Sequence, residues 1–117
     1  MNYLSVALGG GLGAVLRYCI SLIPYKNDFP FLTLITNFTG AFLIGLINGF
    51  AVKKGLSGNA LLFLKTGLCG GFTTFSTFSL ETFNLIENHH IILASVYIFS
   101  SIILCLAGVM LGMEVST

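Results

Sequence analysis

The sequence predicts an all-α membrane protein with four transmembrane helices, the third of them broken at mid-membrane. Three observations carry this expectation. Hydrophobic residues make up 56% of the 117 positions and charged residues only 8%, whereas a soluble domain is roughly one quarter charged. Apolar runs recur four times, each long enough for the roughly 20 residues that cross a bilayer as a helix. The third run carries an interruption rich in glycine and threonine. At this length the chain is one domain, residues 1–117, a single four-helix membrane unit.

The first run, Tyr3–Ile23, holds Gly9-x-x-x-Gly13, a spacing that lets helix backbones approach closely in lipid. Arg17 lies late in it, near enough to a helix end to snorkel, or else placed to attract anions in a vestibule. The connection Pro24–Pro30 contains both prolines, which mark a break. The second run, Phe31–Val52, places Asn37 and Asn48 on one face, eleven residues or three helical turns apart. Polar groups inside a span are costly and are functional candidates by default. An Asn amide offers two N–H donors, for an anion or for a neighbouring carbonyl.

After a Gly/Ser/Lys-rich connection, Lys53–Asn59, comes the third run, Leu61–Ile86. Counted from Gly58 to Glu87 it is too long for a simple span, and its middle reads Gly67-Leu-Cys-Gly70-Gly71-Phe-Thr73-Thr74-Phe75-Ser76-Thr77-Phe78. Adjacent glycines cost about 1 kcal/mol each relative to Ala in a helix interior, and β-branched threonines follow them. Two half-helices meeting inside the membrane are the expected result. Irregular backbone is tolerated at that depth only when buried in protein or lining a cavity. Freed carbonyls of the first half then suit a cation, and freed N–H groups of the second an anion. Phe75 and Phe78, at i and i+3, share a face with Ser76 and Thr77 beside them. Ring edges are weakly positive and stabilise an anion without a full charge that would trap it. Glu81 is one turn beyond Thr77. The turn Glu87–His90 leads to the fourth run, Ile91–Met113, where Tyr97, Ser101 and Cys105 form a line at i, i+4 and i+8. Gly45-x-x-x-Gly49 and Gly108-x-x-x-Gly112 are further packing motifs.

An even number of spans places Lys53, Lys54 and Lys65 towards one side and Arg17 and Lys26 towards the other. Three cations against two barely select an orientation under the positive-inside rule. Insertion both ways, with two opposite copies forming an antiparallel dimer, is consistent with that balance.

Several function classes drop out. A net charge of +1 is no electrostatic footprint for nucleic acid. Cys19, Cys69 and Cys105 are scattered through apolar runs, with neither disulfide nor zinc spacing. The GxGxxA string from Gly9 to Ala14 follows no strand and lies within a membrane run, so it is not a dinucleotide site. His89-His90 has no partner ligands at metal spacing. No nucleophile–base pair points to an enzyme. The first residues lack the basic n-region of a cleavable signal peptide.

The strings Gly10-Gly11-Leu-Gly13-Ala14-Val-Leu-Arg17-Tyr18, Thr33-Leu34-Ile-Thr-Asn37-Phe-Thr-Gly40-Ala-Phe42-Leu-Ile-Gly45 and Gly67 through Glu81 closely resemble the Fluc (CrcB-type) fluoride channels, in order and spacing. The resemblance covers essentially the whole chain. It implies a dual-topology homodimer of antiparallel subunits in the cell inner or plasma membrane, in contact with lipid and conducting fluoride through two pores. It also implies a structural sodium ion at the dimer centre, held by backbone carbonyls that fall here on Gly70 and Thr73. The family's pore phenylalanines correspond to Phe75 and Phe78, its second-helix asparagine to Asn37, and its polar track to Ser76, Thr77 and Glu81, continued by Tyr97 and Ser101. Arg17 matches its first-helix arginine. Leu32 stands where the family commonly has Gly, and Cys105 where it commonly has a hydroxyl residue.

Two rival readings are a small proton-coupled multidrug exporter and an assembly subunit without transport. The exporter needs a carboxylate in the first helix, and this first helix has none. The assembly subunit needs neither a broken helix nor an aligned polar track.

Overall fold

The computed structural model describes residues 2–117. Among them the elements are all helical: α1 (Asn2–Ser21), α2 (Phe31–Lys54), α3 (Gly58–Leu61), a π-helical stretch (Leu62–Cys69), α4 (Gly70–Phe72), α5 (Phe75–Glu87) and α6 (Ile91–Ser116). Three of these, α1, α2 and α6, are long and apolar enough to cross a membrane. The third expected span is not one helix. Its residues form a continuous helical run to Phe72, two extended residues, and then α5.

Local chemistry sets most boundaries. Gly55, at φ 73°, closes α2 in a backbone conformation that suits glycine, and Lys53 and Lys54 sit at the negative end of the helix dipole. Ser57 caps α3 by accepting the Ala60 N–H. Thr74 does the same for α5, its hydroxyl accepting the Thr77 N–H at 3.1 Å.

Glycines pair the helices. A Cβ on Gly9 would strike the Phe63 carbonyl, and one on Gly13 would strike the Leu68 carbonyl and the Phe72 amide. The contacts advance together along both chains, so α1 runs parallel to the first half of the third segment. In the same way Gly108 meets Phe38, Gly112 meets the Phe42 carbonyl and Gly49 meets Ser116, so α2 and α6 are parallel. The Gly-x-x-x-Gly motifs therefore serve helix packing, where small residues let main chains touch.

α5 leaves this pattern and inserts between the starts of α2 and α6. There Phe29, Leu34, Leu85, Ala94 and Tyr97 form a buried cluster with Phe78 and Leu93 against it. Elsewhere large apolar side chains face outward, among them Tyr3, Ile92, Phe99 and Met110. This is the surface of a protein whose solvent is lipid. The longest dimension, 48 Å, matches the roughly 40–45 Å of a bilayer with its headgroup regions.

Candidate functional site

The interruption of the third segment is confined to Thr73 (φ −86°, ψ 156°) and Thr74 (φ −150°, ψ 122°). Gly70 is itself helical (φ −63°, ψ −38°), so the break falls after the glycine pair, not at it. Gly71 is needed for contact: a Cβ there would strike the Gly10 carbonyl. Gly70 faces open space.

Asn37 of α2 holds the break. Its Oδ1 accepts the Thr74 N–H at 2.8 Å, and its Nδ2 donates to the Thr74 carbonyl at 3.1 Å. The amide thus replaces main-chain partners that the helix no longer supplies, and one N–H of the amide remains. The consequences reach the neighbouring carbonyls. In an unbroken helix Thr74 N–H would bond to Gly70 O and Thr77 N–H to Thr73 O. Here the first goes to Asn37 and the second to the Thr74 hydroxyl, so both carbonyls lose their regular donors. The Gly71 carbonyl accepts instead from Arg17 Nε at 3.2 Å. Arg17 is therefore half-buried beside the break and does not reach for a helix end.

On the open side of the break lies a groove of about 710 Å³. Asn37, Gly70, Thr73, Phe75, Phe78 and Ser101 are among its lining residues. The Phe75 and Phe78 rings stand 5.5 Å apart at 42°, and Phe75 is 78% exposed. Ser101 is distinctive. The hydroxyls of Thr36, Ser79, Thr82 and Ser95 each donate to the carbonyl one turn earlier, the usual outlet in a helix. Ser101 Oγ is buried and has no partner among the described residues.

Glu81 lies elsewhere. It lines a second, polar concavity of about 640 Å³ together with Thr33, Asn84, Asp28 and His90, the last two 3.7 Å apart. Thr33 Oγ1 donates to Glu81 Oε2 at 3.0 Å, and the Tyr97 hydroxyl donates to Oε1 at 2.9 Å. Tyr97, fully buried, forms the wall between the two spaces: its ring packs 4.9 Å from Phe78 while its hydroxyl holds Glu81. Ser76 and Thr77 line neither space. Their hydroxyls gather on Thr74 Oγ1 at 3.2 and 3.1 Å.

Most of the residues singled out from the sequence thus form one connected group, divided by Tyr97 into a groove side and a Glu81 side. Two contributors were missed. Thr74 supplies both main-chain partners of Asn37 and the cap of α5. Thr33 was legible in principle, since it precedes Asn37 by four residues on the same face of α2.

The family profile described as "CrcB-like protein, Camphor Resistance (CrcB)" matches residues 4–113. Similar proteins include one from Coxiella burnetii, 46% identical over 96% of this chain and 94% of its own length. One from Methanococcus vannielii is 40% identical over 99% and 96%, and one from Methylobacterium radiotolerans 42% identical over 92% and 78%. All three are named fluoride-specific ion channel FluC.

Proposed function

The chain belongs to the CrcB-like family of multi-pass membrane proteins, and from that premise we propose that it is a fluoride-selective channel that lets fluoride leave the cell passively. The observation that carries this reading is the buried, unpartnered Ser101 hydroxyl in a groove shared with two Phe rings and the Asn37 amide. Fluoride is small and strongly hydrated, so a path must replace its water with hydrogen-bond donors. Binding must also stay weak enough for release. A free hydroxyl and ring edges offer such ligands without a permanent charge at each step. Phe75, Phe78 and the Ser101 hydroxyl line the path, and Tyr97, its hydroxyl held by Glu81, closes it off from the Glu81 side.

The functional unit is an antiparallel, dual-topology homodimer. The exposed Phe75 and the open groove around Gly70 and Thr73 support that reading, because a second copy covers them and completes each path. The break of the third segment then lies at mid-membrane, at the dimer centre. The Gly70 and Thr73 carbonyls, relieved of their regular donors, suit a hard monovalent cation, for which neutral oxygens are appropriate ligands. Sodium is that ion, and when bound it supplies a fixed positive charge that joins the subunits.

A fluoride-electrode efflux assay on the purified protein in lipid vesicles tests the reading, with chloride as control. Fluoride release down its own gradient, without a proton gradient and without chloride release, is the expected result. Absence of release overturns the channel. The exporter reading finds no carboxylate in α1 to support it.

A further inference from the structure

Lys65 is a charged residue that the proposed path leaves unused. It lies in the π-helical stretch, is exposed, and lines the same groove as Asn37, Phe75, Phe78 and Ser101. It is the only Lys, Arg, Asp, Glu or His among the groove's lining residues. No carboxylate lies within ion-pairing distance of it among the described residues, where the one ion pair is Asp28–His90. Its Nζ instead donates to Asn48 Oδ1 at 3.4 Å. Asn48 is turned to receive it, because its Nδ2 is engaged by the Met113 sulfur at 3.5 Å. A cation on an otherwise uncharged wall, held by a neutral acceptor and not by an acid, keeps its full field for a passing ion. The polar side chains Asn48 and Lys65 also lie on the way from the Lys53 end of the molecule to Asn37 and the break.

Resting on the channel reading above, we propose that Lys65, held by Asn48, is the electropositive collector that draws fluoride into the groove. It binds no ion tightly. From Lys65 to the break is eight residues, roughly 12 Å of helix. At 0.01 M ionic strength the Debye length is about 30 Å, so the ammonium is felt as far as Phe75 and Phe78. At 0.5 M the Debye length falls to roughly 4 Å and the influence is confined to the side chain's own surroundings. Arg17 does not duplicate the role, since it is not among the groove's lining residues.

The test compares wild type, Lys65→Gln, Lys65→Arg and Lys54→Gln in vesicles, at fluoride well below saturation. Ionic strength is set to about 0.01 M or 0.5 M with sodium isethionate. Lys54 lies at the end of α2, over the Phe50 ring and outside the groove, so its variant controls for net charge alone. The expected result is a loss of about three- to tenfold in initial efflux for Lys65→Gln at low ionic strength. The loss shrinks below about twofold at high ionic strength. Lys65→Arg and Lys54→Gln stay near wild type. Equal flux of Lys65→Gln and wild type at both ionic strengths overturns the proposal. So does an equal loss at both, which marks a structural role. A wild-type protein that releases no fluoride overturns the channel reading itself, and a conducting wild type with an unaffected Lys65→Gln overturns this inference alone.

Discussion

The side-chain amide of Asn37 is hydrogen-bonded to both main-chain groups of Thr74, accepting its N–H at 2.8 Å and donating to its carbonyl at 3.1 Å. One residue of α2 therefore stands in for a strand partner at the only two extended residues inside the third segment. Removing it leaves two main-chain groups unpaired, each at a cost of about 1–3 kcal/mol. Asn37→Ala is expected to lower the thermal midpoint of the purified protein and to abolish fluoride efflux. Asn37→Asp keeps the acceptor, loses the donor and is expected to fall between the two in stability. Thermal unfolding in detergent and the efflux assay check both.

The Phe78 ring packs 4.9 Å from Tyr97 and 5.5 Å from Phe75, on the wall of the groove. Phe78→Ile preserves an apolar side chain of moderate size and removes the positive ring edge. Efflux is expected to drop to the level of protein-free vesicles, with the oligomeric state unchanged on size exclusion. Undiminished flux removes Phe78 from the path.

Thr33 and Tyr97 hold opposite oxygens of Glu81, from α2 and α6 respectively. Two donors on one acceptor group act together, so a double-mutant cycle of Thr33→Val and Tyr97→Phe is expected to show a coupling of about 0.5–3 kcal/mol in unfolding free energy. Additivity within error would mean that the two bonds are independent.

Gly13 and Gly112 each face main-chain atoms of a parallel helix, with no side chain to move aside. Gly13→Ala and Gly112→Ala are expected to destabilise the fold by about 1–3 kcal/mol, as overpacking does. Gly11, with nothing near its missing Cβ, is expected to accept Ala without loss. Thermal midpoints of the three variants check the contrast.

Exchange of sodium for N-methylglucamine on both sides of the vesicle membrane tests the cation proposed at Gly70 and Thr73. Slower efflux and a smaller dimer fraction, with helix content unchanged by circular dichroism, are expected. Insensitivity of both would exclude a sodium ion from those carbonyls.

Fold class, the four hydrophobic runs and the approximate place of the interruption were legible because each follows from composition and length. The register of the interruption was not. Glycine propensity points to Gly70-Gly71, yet both are helical, and the extended residues are Thr73 and Thr74. Tertiary contact overrides propensity here: Gly71 is occupied by packing on Gly10, and the Asn37 amide rewards an extended conformation only at Thr74. The partition of the polar residues into two spaces was likewise hidden. Tyr97, Ser101 and Cys105 share a helical line, but burial of the Tyr97 ring turns that line from a track into a partition. The Lys65–Asn48 pair lies across two helices, one of them π-helical at Lys65, and residue spacing holds no trace of a π-helical stretch.

The glycine contacts have a mechanical consequence. At Gly9, Gly13 and Gly71 between α1 and the third segment, and at Gly45 and Gly112 between α2 and α6, main chain bears directly on main chain, without the side-chain rotamers that cushion most helix pairs. Each pair is a laminated beam, and the single joint between Gly58 and Glu87 is pinned by Asn37. On the channel reading, an oversized anion at the joint can push aside the Phe75 and Phe78 rings but not the beams behind them. Stiffness of the main chain, as much as the choice of ligands, then sets the size of anion that passes.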